Sequence, residues 1–97
     1  MDRKIFKYPV SFTANDEFVI GLPEGARILD VQSQFNKPFI WALVDPNEEI
    51  YQERYFRVAG TGHLIHDKDH KSYEYIGTFQ MNGGQLVFHL FEIVIKE

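Results

Sequence analysis

The sequence predicts an all-β fold: one small antiparallel sandwich or barrel-like domain of about seven strands, with at most one short helix. Three observations carry this expectation. Turn residues punctuate the chain roughly every ten residues, a spacing typical of short strands joined by tight connections. Between them, apolar and polar residues alternate with period two rather than with a helical period. No strand–helix–strand repeat is visible, which excludes a parallel sheet.

The clearest element is the C-terminal hairpin. Tyr73, Tyr75 and Phe79 share one parity of a run that meets Asn82-Gly83-Gly84. Asn and Gly supply the positive φ angles that tight hairpin turns demand. Beyond the turn, Leu86 to Ile95 is almost unbroken in its apolar character, the pattern of a strand buried on both faces.

The upstream elements come in order. Ile5 to Tyr8 opens as a strand and stops at Pro9, which cannot donate to a ladder and suits an edge. Ala14-Asn15-Asp16 is a turn, and Phe18-Val19-Ile20 is extended after it. Gly21-Leu22-Pro23-Glu24-Gly25 is loop punctuation. Ala26 to Phe35 then reads as a strand with an apolar face of Leu29, Val31, Ser33 and Phe35 and a wet face of Ile28, Asp30, Gln32 and Gln34. Asn36-Lys37 is expected to form a two-residue turn into Phe39–Val44, a run apolar on both parities and therefore a central strand. Asp45-Pro46-Asn47-Glu48 carries helix-start signals. Tyr51, Tyr55 and Val58 fit a helical face, while Tyr55-Phe56-Arg57-Val58 has strand composition. A single helical turn leading into a strand is the first expectation, and a helix over 46–58 the second. Gly60 to Lys71 is a loop. Trp41, Leu43, Phe79, Phe88 and Leu90 are expected in one core.

Composition bounds the function classes. The 97 residues form a single domain, residues 1–97, with 44% hydrophobic and 25% charged residues, a globular balance. Nine Phe, five Tyr and one Trp let so short a chain bury much area with few side chains. The absence of Cys removes disulfides, thiolate nucleophiles and Cys-based zinc sites, and suits a reducing cytoplasm. A net charge of −4 without a basic cluster argues against duplex nucleic acid as a partner. The N-terminus lacks the long apolar segment of a secretory signal, and the longest apolar run is too short for a membrane-spanning helix.

Few residues suggest chemistry. His63, His66 and His70 are weak metal candidates, with Asp67 and Asp69 between the last two. Their spacing nominates no complete ligand set, and no cofactor is expected. Gly60-Thr61-Gly62 offers a backbone nest for an anion, with His63 beside it. It is neither a P-loop nor a dinucleotide fingerprint, and turn glycines are the simpler explanation. Trp41 is foremost a core anchor and secondarily a stacking platform. His89 and Glu92 interrupt the most apolar strand on opposite parities, so they cannot pair along one face. No nucleophile–base set or carboxylate pair can be assembled, so a non-enzymatic role is expected, with a metal-dependent enzyme as the lesser alternative.

Several words in order along the chain resemble a family of small proteins of tailed phages and prophages. They are Lys7-Tyr8-Pro9, Leu22-Pro23-Glu24-Gly25-Ala26, Trp41-Ala42-Leu43-Val44-Asp45-Pro46, Gly60-Thr61-Gly62-His63, Tyr75-Ile76-Gly77-Thr78-Phe79-Gln80 and Gly83 to Glu92. A Pro often comes after the Gly-Thr-Gly-His word in that family, where this chain has Leu64. The resemblance implies a phage-encoded protein acting in the host bacterial cytoplasm and names no activity. The leading expectation is an accessory protein that binds a host or phage protein. Exposed strand edges add the expectation of a two-fold homodimer. The rival is a binder of a small anionic ligand, such as a nucleotide signal, built on Gly60, Thr61, Gly62 and His63 with Trp41 stacking on the base. Arg54, Arg57, Lys68 and Lys71 would supply its positive charge.

Overall fold

A computed structural model describes residues 2–11, 17–66 and 71–95. It contains seven strands: β1 (Lys4–Pro9), β2 (Glu17–Pro23), β3 (Arg27–Gln34), β4 (Lys37–Val44), β5 (Tyr51–Gly60), β6 (Lys71–Met81) and β7 (Leu86–Ile95). They form two antiparallel sheets, one of order β1-β4-β3 and one of order β2-β5-β7-β6. The doubly apolar runs are central strands, as expected: β4 lies between β1 and β3, and β7 between β5 and β6. Pro9 ends an edge strand, where its missing N–H is harmless. The turn at Ala14-Asn15-Asp16 lies outside the described residues.

The sheets share one core. Val31, Ile40, Ala42 and Val44 of the smaller sheet pack with Leu22, Phe56, Val58, Phe79 and Leu90 of the larger, and Phe88 leans on this cluster half-buried. Trp41 and Leu43 do not belong to it. The inward parity of β4 is Pro38, Ile40, Ala42 and Val44, all buried, which turns Phe39, Trp41 and Leu43 outward, half-buried. The apolar character of both parities thus records a central strand whose outer face is also apolar, with Trp41 edge-on to Phe39 at 6.1 Å.

Two bulges displace the expected parities. In β3 the register shifts between Ile28 and Asp30, so Leu29 is exposed and Ile28 packs on the core instead. In β6 it shifts between Tyr75 and Gly77. Tyr73 and Tyr75 therefore pair with Ile93 and Phe91 on the outer face, while Phe79 pairs with Phe88 on the inner one. Gly21 to Pro23, expected as loop, completes β2.

The segment after β4 is a turn and not a helix. Glu48 N–H donates to the Asp45 carbonyl at 3.2 Å, and the Asp45 carboxylate accepts from Asn47 N–H at 2.9 Å. The capping signals are those of an Asx turn, and cross-strand pairing then takes Tyr51–Gly60 into the sheet. The C-terminal hairpin closes through a short 3-10 turn, Asn82–Gly84, with φ of +53° at Asn82, +67° at Gly83 and +94° at Gly84.

Along one side, β3 lies against β6 without forming a ladder. The Ser33 hydroxyl donates to the Gln80 carbonyl. A Cβ at Gly77 would stand 2.9 Å from Val31 Cγ1, so this approach requires glycine. Arg54 adds an inter-sheet tie: its guanidinium grips Glu92 of β7 and donates to the Ala26 carbonyl at the start of β3. That side being closed, β1 and β2 are, among the described residues, the outer edges of the two sheets.

Candidate binding surfaces

The most unusual residue is at the tip of the β3–β4 hairpin. Gln34 pairs with Lys37, so the two turn residues are Phe35 and Asn36, with φ of +51° and +62°. Two positive φ angles define the turn type whose twist suits a hairpin, and which favours Asn and Gly. The expected Asn36-Lys37 turn is displaced by one residue because of Pro38. A residue before proline is held extended, which places Lys37 in β4. Phe35 is left in a left-handed conformation that costs a side chain with a Cβ about 1–2 kcal/mol. It gains nothing back by burial, being 97% exposed. The turn is braced from the other sheet: Asn36 Nδ2 donates to Asn82 Oδ1 at 2.9 Å, and Asn82 N–H donates to Asn36 Oδ1 at 2.7 Å. Behind the tip, the outer face of the hairpin carries Phe39, Trp41 and Leu43. Lys7 lies over the Phe39 ring, 4.5 Å from its centroid, and donates to Gln34 Oε1 at 2.9 Å.

Gly60-Thr61-Gly62-His63 forms a tight turn rather than a nest. His63 N–H donates to the Gly60 carbonyl at 3.0 Å and Thr61 N–H to the Val87 carbonyl at 3.2 Å, with Gly62 at φ +86°. Those amides are committed to the backbone. The His63 ring lies over Gly60; a Cβ there would fall 2.7 Å from His63 Nδ1 and displace that exposed side chain. Gly60, Thr61 and His63 do line a cavity of about 440 Å³ with Gln85 to Phe88. Trp41, on the outer face of the other sheet, does not line it. Of the expected cations, Arg54 is held by Glu92, Lys71 reaches Glu17 at 3.4 Å and Arg57 donates to the Leu64 carbonyl at 3.5 Å. Lys68 and His70 lie outside the described residues. Among those described, no group of three or more His, Asp or Glu could hold a metal, so His63 and His66 gather no ligand set.

The two polar interruptions of β7 face opposite ways, as their parity requires. His89 Nε2 lies 2.7 Å from the Thr61 hydroxyl and Nδ1 2.9 Å from that of Thr78, which is 2.6 Å from the Tyr75 hydroxyl. The Thr61 hydroxyl donates to the Val87 carbonyl at 3.2 Å, so with that bond kept it accepts from His89 Nε2–H, and Nδ1 accepts from the Thr78 hydroxyl. Glu92 faces inward and binds Arg54 through two parallel hydrogen bonds, Nε to Oε2 at 2.6 Å and Nη2 to Oε1 at 2.8 Å. The hydrogen bonds to Glu92 hold the Arg54 pKa above the ordinary arginine value. Burial opposes them, and the negative charges of Glu92 and Glu74 reinforce them. Arg54 is thus a permanent cation that offsets two glutamates standing directly opposite each other across β6 and β7.

Among the described residues, no helix is long and apolar enough to cross a membrane. No curated protein and no solved structure matches the chain. The family model of a domain of unknown function, DUF7352, matches residues 1–96, and the chain belongs to that family.

Proposed function

We propose that the chain is a small non-catalytic accessory protein, phage-encoded and acting in the host bacterial cytoplasm, that binds a host or phage protein through the tip of its β3–β4 hairpin. The phage setting rests on the resemblance of its sequence words. The binding site rests on Phe35. A fully exposed aromatic ring on a strained turn costs backbone energy and gains no burial in return. Strain of this kind marks a site where a function other than folding is served. A rigid aromatic projection is the residue type that anchors protein interfaces, because it fills a pocket with little loss of conformational entropy. The Asn36–Asn82 bonds hold the projection ready before the partner arrives. Lys7 and Lys37 lie on the hairpin's outer face near the tip, which gives the surrounding rim a cationic bias.

A photo-reactive phenylalanine analogue placed at position 35 tests this in host cells, with the same analogue at Leu64, 75% exposed, as the control. One discrete protein cross-linked from position 35 and not from position 64 is expected. Cross-linking to nothing, or equally from both positions, overturns the reading. A small anionic ligand in the cavity beside Gly60-Thr61-Gly62-His63 is the weaker proposal, since the Thr61 and His63 amides and, among the described cations, Arg54, Arg57 and Lys71 are engaged elsewhere.

A further inference from the structure

The two outer strands differ in how they are protected. Both end at a proline, but β1 also carries Lys4 and Lys7 on opposite parities, charges by which an edge strand resists pairing. β2 reads Glu-Phe-Val-Ile-Gly-Leu-Pro, with one charge at its start and none after it. Its far edge pairs with no strand among the described residues. Val19 on the outer face is 48% exposed. Phe18 and Ile20 on the inner face pack on the core yet stay half-buried.

We infer that β2 pairs antiparallel with β2 of a second copy of this chain, about a two-fold axis at Ile20, to join the two larger sheets into one. The strand is self-complementary in that register. Ile20 meets its own equivalent, Phe18 meets Leu22, Val19 meets Gly21 and Glu17 meets Pro23. Inner-face partners are all apolar, so the pairing covers Phe18 and Ile20 and extends each core across the axis. On the outer face the branched Val19 stands opposite a residue without a side chain, and the space around Gly21 is open to 4 Å. No like charges oppose one another, and Pro23 falls at the end of the ladder. A different protein strand would find the same free edge, but it would have to reproduce this pattern; a second copy supplies it by symmetry. This inference is independent of the role given to Phe35.

Sedimentation equilibrium over a wide concentration range tests it, using the intact chain, the double substitution Val19→Lys/Gly21→Lys and the control Ile5→Lys on the guarded edge. The double substitution sets lysines directly opposite each other twice across the axis. Both positions are exposed, and matching far-UV circular dichroism spectra confirm folding. The intact chain is expected to dimerise, the double variant to dissociate about tenfold more readily or worse, and Ile5→Lys to dimerise normally. Amide exchange in Phe18–Leu22 is expected to slow with rising concentration in the intact chain alone. A monomer at millimolar concentration, a double variant that dimerises unchanged, or equal weakening by Ile5→Lys overturns the inference.

Discussion

Single residues decide where the two sheets of this protein can meet. Gly77 stands where β6 crosses closest to β3, with room for hydrogen only. Gly77→Ala is expected to cost about 1–3 kcal/mol as Val31 is pushed aside. Gly21 has open space around it and no positive φ, so Gly21→Ala is expected to raise stability by about 0.5 kcal/mol through the unfolded chain. Urea titration of both variants measures the contrast; equal effects would remove the close approach at the β3–β6 seam. Neither role was legible in the sequence, where Gly21 reads as loop punctuation and Gly77 carries no signal of its own. A glycine needed for close approach looks like any other until the neighbouring strand is placed beside it.

At the scale of elements, the Arg54–Glu92 pair links β5, β7 and the start of β3. The side chains are 17% and 15% exposed, so each charge depends on the other for its solvation. Glu92→Gln is expected to cost about 3 kcal/mol, by leaving Arg54 without its counter-charge. Replacing both partners by Arg54→Met/Glu92→Leu is expected to recover much of that loss, since well-packed apolar groups fill such sites at little cost. Chemical denaturation of single and double variants checks this, and a double variant worse than the single would contradict it. Central strands and the C-terminal hairpin were legible from composition and turn residues alone, because runs such as Phe39–Val44 and Leu86–Ile95 are apolar whatever face they turn. Parity was legible only between bulges. The extra residues in β3 and β6 put Leu29, Tyr73 and Tyr75 on the face opposite Val31 and Phe79, which lie in the core as their parity suggested. Leu29 bears no local mark, and Gly77 beside Ile76 is a mark that bulges share with close backbone approaches. Trp41 was misplaced for a related reason: parity along β4 names two faces without saying which holds the core.

For the whole molecule, the fold and the proposed Phe35 binding surface draw on different residues. The core uses Val31, Ile40, Phe56, Val58 and Leu90, all fully buried, and none of these lies on a surface attributed to partners. The sequence pointed to Gly60–His63 as the candidate site and left Phe35 on a buried face. Pro38 was the signal available, since it forbids Lys37 from the turn and so pushes Phe35 into it. Phe35 gives the folded chain nothing and strains it, so the proposed binding role accounts for its presence. The thermal midpoint of Phe35→Asn against the intact chain tests this most directly. Asn is at home in that turn, and relief of about 1 kcal/mol is expected to raise the midpoint by about 4–8 °C. A midpoint that falls would mean that Phe35 supports the fold, and would contradict the account.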